Sequence, residues 1–346
     1  MKSYNRKLIL GLMAVAMTFT CLTTTTYAWF ARNKEAWTEE VDIEIENYGG
    51  LLISVDGVNF KASIDNLDIK RAIVAKAYGL NINDLTDPEA VEQRFKEMKF
   101  KDVTTKDLVT FNTINEHKKT DGYYEIIEAN PINYYKFDLF FMIDAQGTQN
   151  EDFDLTFVSN SYKAEDNKDD DASGNARVPY IKSIPTKASV HSGFSVGAGE
   201  DKIDYAAGDK IDVDLKNAVR IGVIHDETRS GITIYEPYKG LGSYAIEGED
   251  DKDYDPAYNY MLRHLEAYGG GLRPLPGEDK DIYKNTQKDF EGEVSFGRFT
   301  ANDNKYNKLK LTICIWLEGY DSDYLSTVDD VSMSFGLTFC KKEVAA

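Results

Sequence analysis

Close to the C-terminus, Val331, Met333, Phe335, Leu337 and Phe339 alternate without a break with Ser332, Ser334, Gly336 and Thr338. A period of two puts every apolar side chain of an extended strand on one face, whereas a helix would scatter them around its circumference. The segment therefore predicts a strand with one side on a core and the other toward water. The same reading applies to Val41, Ile43 and Ile45, which alternate with Asp42, Glu44 and Glu46. After Gly49-Gly50 a second apolar run, Leu51 to Val55, leads into Asp56-Gly57, so a strand, a turn and a hairpin are expected here. Further strands are expected over Tyr134–Ile143, Phe153–Ser159, Ala218–Ile224, Ile232–Tyr235 and Lys308–Leu317. With 22 tyrosines and 17 phenylalanines, composition supplies the aromatic side chains that pack well on pleated surfaces.

Between the first strands and Tyr134 the pattern changes. Ile69 to Tyr78 reads as a helix stopped by Gly79, and Asp87-Pro88-Glu89 supplies an N-cap, a first-turn proline and an early acid for a second helix ending near Met98. The expectation is a helical insertion over about residues 65–130. Asp255-Pro256 similarly opens a shorter helical insertion over about residues 255–270, closed by Gly269-Gly270-Gly271. Glu165 to Asn175 and Glu247 to Asp255 are acidic and short of apolar residues, and are expected to be exposed loops. No repeat of fixed period and no long linker divides residues 29–346, which are expected to form a single domain.

The N-terminus bears on location. Lys2, Arg6 and Lys7 precede an uncharged run from Leu8 to Ala28 that ends in Thr26-Tyr27-Ala28, the layout of a secretory signal peptide over residues 1–28. Cleavage after Ala28 makes Trp29 the new N-terminus. An uncleaved anchor is the alternative reading, since about 20 apolar residues span a bilayer, and it would be the only route to a membrane. Thr18-Phe19-Thr20 before Cys21 fits a lipidation site poorly. Removing the leader takes three basic residues and no acidic one, which moves the formal charge from −19 to −22. Such a field repels phosphates, so nucleic acid is not an expected partner.

Cys314 and Cys340 remain after the leader is removed, and spacing alone leaves both a single bridge and two free thiols open. The four histidines, His117, His191, His225 and His264, sit in no recognisable metal or catalytic motif, and no nucleophile elbow or phosphate-binding glycine pattern is present. No enzyme and no cofactor are expected. With 59 acidic residues any pair of carboxylates can be nominated, so paired acids carry no weight. The alternate spacing of Asp251, Asp253 and Asp255 suits calcium better, although Pro256 stands where an EF-hand loop needs glycine. Trp316-Leu317-Glu318-Gly319 reads as a core tryptophan, a strand-end acceptor and a turn glycine.

The junction Thr26-Tyr27-Ala28-Trp29-Phe30 resembles the export and processing region of the camelysin/TasA group of Gram-positive surface proteins. Later blocks resemble clostridial surface proteins with the same leader: Leu51 to Gly57, Tyr134 to Phe140, Ala218 to Gly222, Tyr235-Glu236-Pro237, and Ile315 to Asp321. The resemblance implies a jelly-roll-type antiparallel β-sandwich, so the expected fold is mainly β with inserted helical segments; the helical insertion and the length are where this sequence departs from the better-known members. It also implies secretion to the cell surface, processing at Ala28 and Trp29 by a dedicated signal peptidase, and assembly into extracellular fibres of the biofilm-matrix kind. In fibre-forming relatives an N-terminal segment completes a neighbour's sheet, and Trp29 and Phe30 would be the anchors for such strand addition. Self-association is the first expected partnership, with other surface proteins or glycans next. The camelysin side of the group is linked to proteolysis, but no motif here supports a protease. The alternative reading is a calcium-dependent carbohydrate- or ligand-binding surface module.

Overall fold

The computed structural model describes residues 36–45, 50–105, 107–120, 123–144, 151–157, 180–183, 186–189, 194–196, 203–206, 208–225, 231–235, 286–287, 295–302, 305–319 and 331–344. It is mainly β. The strands are β1 (Ala36–Ile45), β2 (Leu51–Ser54), β3 (Asp102–Thr105), β4 (Phe111–Thr120), β5 (Tyr123–Glu128), β6 (Tyr135–Ile143), β7 (Phe153–Phe157) and β8 (Tyr180–Ser183). They continue with β9 (Thr186–Ser189), β10 (Phe194–Val196), β11 (Ile203–Tyr205), β12 (Lys210–Val213), β13 (Val219–Ile224) and β14 (Ile232–Tyr235). The last are β15 (Thr286–Gln287), β16 (Arg298–Phe299), β17 (Ala301–Asn302), β18 (Lys305–Tyr306), β19 (Leu309–Glu318) and β20 (Val331–Glu343). Two α-helices, α1 (Asn66–Tyr78) and α2 (Pro88–Glu97), lie between β2 and β3.

Two sheets carry the architecture. In the first, β20 is central: β1 lies along one side, while β8 and then β7 follow one another along the other, and β16 extends beyond β7. In the second, β19 is central. β13 pairs with it from Ile224↔Thr312 to Val219↔Leu317, and β6 pairs with the opposite side from Phe141↔Leu309 to Tyr135↔Ile315. Where β6 begins, β3 takes over that side at Leu317↔Asp102 and leads outward to β4 and β5. β2 closes the far side of β6, and β14 the far side of β13.

The alternation read from the sequence sorts both central strands. Met333, Phe335, Leu337 and Phe339 are buried with Val41 and Ile43, and they share one core with Phe137, Leu139, Phe141, Leu311, Ile313 and Ile315 of the second sheet. Aromatic rings join the two sheets, with Phe141 and Phe339 centroids 4.9 Å apart and Tyr135 and Phe335 6.4 Å apart. Offset and tilted ring pairs of this kind contribute beyond their buried area.

Local chemistry sets the helix ends. The Asp65 carboxylate accepts from the Asp68 N–H at 2.7 Å, and Gly79 takes the left-handed conformation that ends α1 at φ 64°. Asp87 caps α2, with Pro88 in its first turn. Ile69, Ala72, Ile73, Val91 and Phe95 enter the core shared by the sheets. Lys70 ties the helices together through Glu92 at 2.8 Å.

Three expectations are corrected. β1 and β2 do not form a hairpin: β1 pairs with β20 and β2 with β6, so Gly50, at φ 83°, lies where the chain passes between sheets. The sheets are mixed rather than antiparallel, because β1 runs parallel to β20 from Ala36↔Val331 to Ile45↔Phe339 and β3 runs parallel to β19. Parallel partners need a long connection, and these strands are far apart in sequence. Finally, the segment 65–130 is helical only through Glu97: 102–105, 111–120 and 123–128 are strands, consistent with their β-branched and aromatic content.

A second buried cluster covers part of the second sheet's other face. Cys314, Trp316 and Ile234 pack there under Leu108, Phe111 and Tyr134. Phe111 and Tyr134 stack with centroids 3.9 Å apart. Trp316 donates its indole N–H to Glu318 at 3.1 Å, and both residues are buried. The segment is thus a core tryptophan with its acceptor. Cys314 and Cys340 are unbonded thiols on different sheets.

Candidate functional site

The most organised polar feature begins as a loop. Ile53 and Lys61 exchange backbone hydrogen bonds of 2.8 and 2.9 Å, closing residues 54–60 into a loop at the end of β2. Asp56 holds it from inside: Oδ1 accepts from the Ser54 hydroxyl at 2.7 Å and from the Val58 and Asn59 N–H groups at 2.8 Å, while Oδ2 accepts from the Asn59 amide at 2.6 Å. Partial burial would raise its carboxyl pKa, but the hydrogen bonds from Asn59, Ser54 and Val58 outweigh burial and hold it well below the usual carboxylate range. Gly57 follows at φ 70°, and a Cβ there would meet the Phe140 ring at 3.1 Å. The Asp56-Gly57 pair is therefore required twice, for its acceptors and for its absent side chain. Val58 projects from the loop at 73% exposure.

Helix α1 and the following turn form the opposite wall. Between them and the loop lies an open depression of about 360 Å³, lined by Val55, Ile64, Ile82 and Leu85 together with Asn59, Lys61, Asp68, Arg71 and Asn83. Its charges are arranged around Asp68. Lys61 Nζ bonds Asp68 Oδ2 at 2.9 Å, and Arg71 Nη1 bonds Oδ1 at 2.9 Å. Arg71 Nε also donates to the Leu85 carbonyl at 2.9 Å, which fastens the helix to the turn. The hydrogen bond and attraction of Asp68 lift the Lys61 pKa above its ordinary value. No histidine lines the depression. Fixed amides, one fork-shaped guanidinium and apolar side chains suit holding a polar ligand.

The sequence-based candidates fall elsewhere. Ala28, Trp29 and Phe30 at the junction, Asp251, Asp253 and Asp255 as calcium ligands, and the helix expected over 255–270 all lie outside the described residues. Among the described residues no group of three or more His, Cys, Asp or Glu side chains is placed to hold a metal ion. His225 stands at the end of β13, within 3.3 Å of the Thr233 hydroxyl and edge-on to Phe296, where a strand-end polar residue is expected. Lys61, Asp68, Arg71 and Asn83 were not candidates in the sequence. Asp56-Gly57 was the signal for one wall, but nothing local announces which helix will supply the other.

No family model matches the chain, and no curated protein or solved structure matches it either.

Proposed function

We propose that this chain is a secreted or cell-surface structural or adhesive subunit rather than an enzyme, a jelly-roll-type sandwich assembled into extracellular fibres by strand addition through the processed N-terminus. The observation that carries the reading is the position of β1. It is the first described strand after the expected cleavage site and pairs with β20 along one side; among the described residues no strand pairs with the other side. An open edge with alternating acidic and apolar residues offers main-chain hydrogen bonds to an incoming strand. Residues 29–35, beginning with Trp29 and Phe30, would be that incoming strand. Light scattering of purified residues 29–346 over a concentration series, with negative-stain images of the same samples, tests this. Growth of fibres is the expected result, and a monodisperse monomer at every concentration would overturn it.

The depression between the Asp56 loop and α1 favours a second reading, a carbohydrate- or ligand-binding module. On that reading Asn59, Asn83 and Arg71 supply the polar contacts, and Asp251, Asp253 and Asp255 supply calcium ligands. A glycan array and a calcium titration followed by thermal shift test it: a bound glycan whose affinity falls in Arg71→Ala is expected, and the absence of any hit would remove it.

A further inference from the structure

The face of the second sheet that turns away from the shared core is divided in two. Across β6 and β19 the pairs on this face are Phe140↔Lys310, Asp138↔Thr312 and Lys136↔Cys314. At the Cys314 end the face is sealed, since Leu108 lies over it and accepts from Lys136 Nζ at 2.7 Å. At the Phe140 end it is open and cationic. Lys76, reaching over from α1, and Lys310 both bond Asp138 Oδ2, at 3.1 and 3.2 Å, and their side chains are 43% and 46% exposed. Lys310 also lies over the Phe140 ring, at 5.8 Å. Lys308 donates to the Gly57 carbonyl at 3.1 Å and lies 4.7 Å over the Phe60 ring.

Two exposed lysines, Lys76 and Lys310, therefore share one carboxylate, which already accepts from the Thr312 hydroxyl at 2.6 Å, and a third, Lys308, stands two residues from Lys310 over the Phe60 ring. Asp56, in the adjoining loop, has its oxygens taken up by the donors of that loop. Those bonds leave Asp56 charged, so three lysines against Asp138 and Asp56 give the patch a single positive charge in excess, beside two aromatic rings, on a chain whose formal charge is −19. Copies of so acidic a chain repel one another, and association requires a local contact of opposite sign to offset that repulsion.

The chain itself contains a segment of complementary chemistry. Glu247-Gly248-Glu249-Asp250-Asp251-Lys252-Asp253-Tyr254-Asp255 sets its acids against a single lysine and includes a tyrosine. Its carboxylates match the lysines, and its ring matches Phe60 and Phe140. Of the two acidic stretches expected to be exposed loops, Glu165 to Asn175 has no aromatic residue. We infer that the Lys76, Lys308 and Lys310 face docks the segment Glu247 to Asp255 of a second copy of this chain. The inference rests on the self-association reading above and adds to it a lateral, salt-sensitive contact separate from strand addition.

A labelled synthetic peptide of residues 247–255, added to the full 29–346 chain and followed by fluorescence anisotropy, tests the contact. Binding is expected at low ionic strength and should be lost at high salt, as the Debye length falls from ~30 Å at 0.01 M to ~3 Å at 1 M. The double variant Lys308→Glu/Lys310→Glu should bind at least about tenfold more weakly, while Lys308→Arg/Lys310→Arg should keep the affinity. Both substitutions sit on exposed side chains, and circular dichroism melts confirm that the variants fold. No binding at low salt, or binding that the charge reversal leaves unchanged, would overturn the inference. Because the peptide is supplied separately, the result does not depend on fibre growth. Fibres that grow equally well from the Lys308→Glu/Lys310→Glu chain would also remove this contact while leaving strand addition in place.

Discussion

Leu108 sits directly over Gly222: a Cβ on Gly222 would lie 2.6 Å from both Leu108 methyl carbons. Leu108 is held there with φ at 54°, by an N–H bond to the Thr105 hydroxyl at 3.1 Å, while Asp107 accepts from Val109 and Thr110 at 2.8 Å. The loop cannot easily retreat. Gly222→Ala should therefore destabilise the fold by about 1–3 kcal/mol through overpacking. Leu108→Ala should cost about 2–5 kcal/mol by leaving a cavity. In the double variant the new methyl enters the vacated space, so urea unfolding should give a combined loss smaller than the sum of the two.

The indole of Trp316 and the carboxylate of Glu318 form a buried donor and acceptor pair at 3.1 Å. Glu318→Ala removes that acceptor while Trp316 stays buried, and a loss of about 1–3 kcal/mol is expected. Glu318→Gln keeps an oxygen in place and should lose less. Urea midpoints read by tryptophan fluorescence check the order; equal losses for the two variants would contradict it.

Burial alone would raise the pKa of Asp138, but the Thr312 hydroxyl, Lys76 and Lys310 outweigh it and hold the carboxyl below its ordinary value. A carboxylate whose folded pKa is depressed adds stability that is complete above its unfolded pKa, near 3.9, and is lost as pH falls through the folded value. Asp138→Asn should therefore be less stable than the parent at neutral pH and lose less on acidification. Unfolding free energies at pH 7 and pH 3 test this, and parallel losses in the two proteins would contradict it.

Cys314 and Cys340 should behave differently. Burial pushes the Cys314 thiol up to about 12, so it offers almost no thiolate at neutral pH. Cys340 is only half-buried, with its sulfur 3.3 Å from the Thr156 hydroxyl. Alkylation of the native protein should modify Cys340 alone, and denaturant should expose both. Peptide mass mapping reads the outcome; a peptide joining Cys314 to Cys340 would contradict the placement of the two residues on different sheets.

Much of the secondary structure was legible because it depends on local pattern. The alternation over Val331–Phe339 specifies which side chains of β20 face the core, and Asp65, Gly79, Asp87 and Pro88 carry their own capping chemistry. Strand partners are not local. Val41 and Ile43 require a core without saying which strand lies beside them, so a glycine pair suggested a hairpin where the chain instead crosses between sheets. The strands over 102–128 were hidden behind two well-signalled helices, although Tyr123-Tyr124-Glu125-Ile126-Ile127 has strand composition. At the candidate site Asp56-Gly57 was readable as a turn. Arg71 meets Asp68 within α1 itself, but Lys61 joins them only after α1 has docked, and three lysines on one face of an acidic chain are invisible in its net charge.

On the proposed assembly, residues at the N-terminus left by cleavage after Ala28 join one subunit to the edge of the next. Sedimentation velocity of residues 29–346 beside residues 36–346, each over the same concentration series, tests it most directly. The longer chain should grow in mass with concentration while the shorter one, which retains β1 but lacks the incoming strand, should remain a folded monomer. Equal association of both chains, or a monomer in both at every concentration, would contradict it.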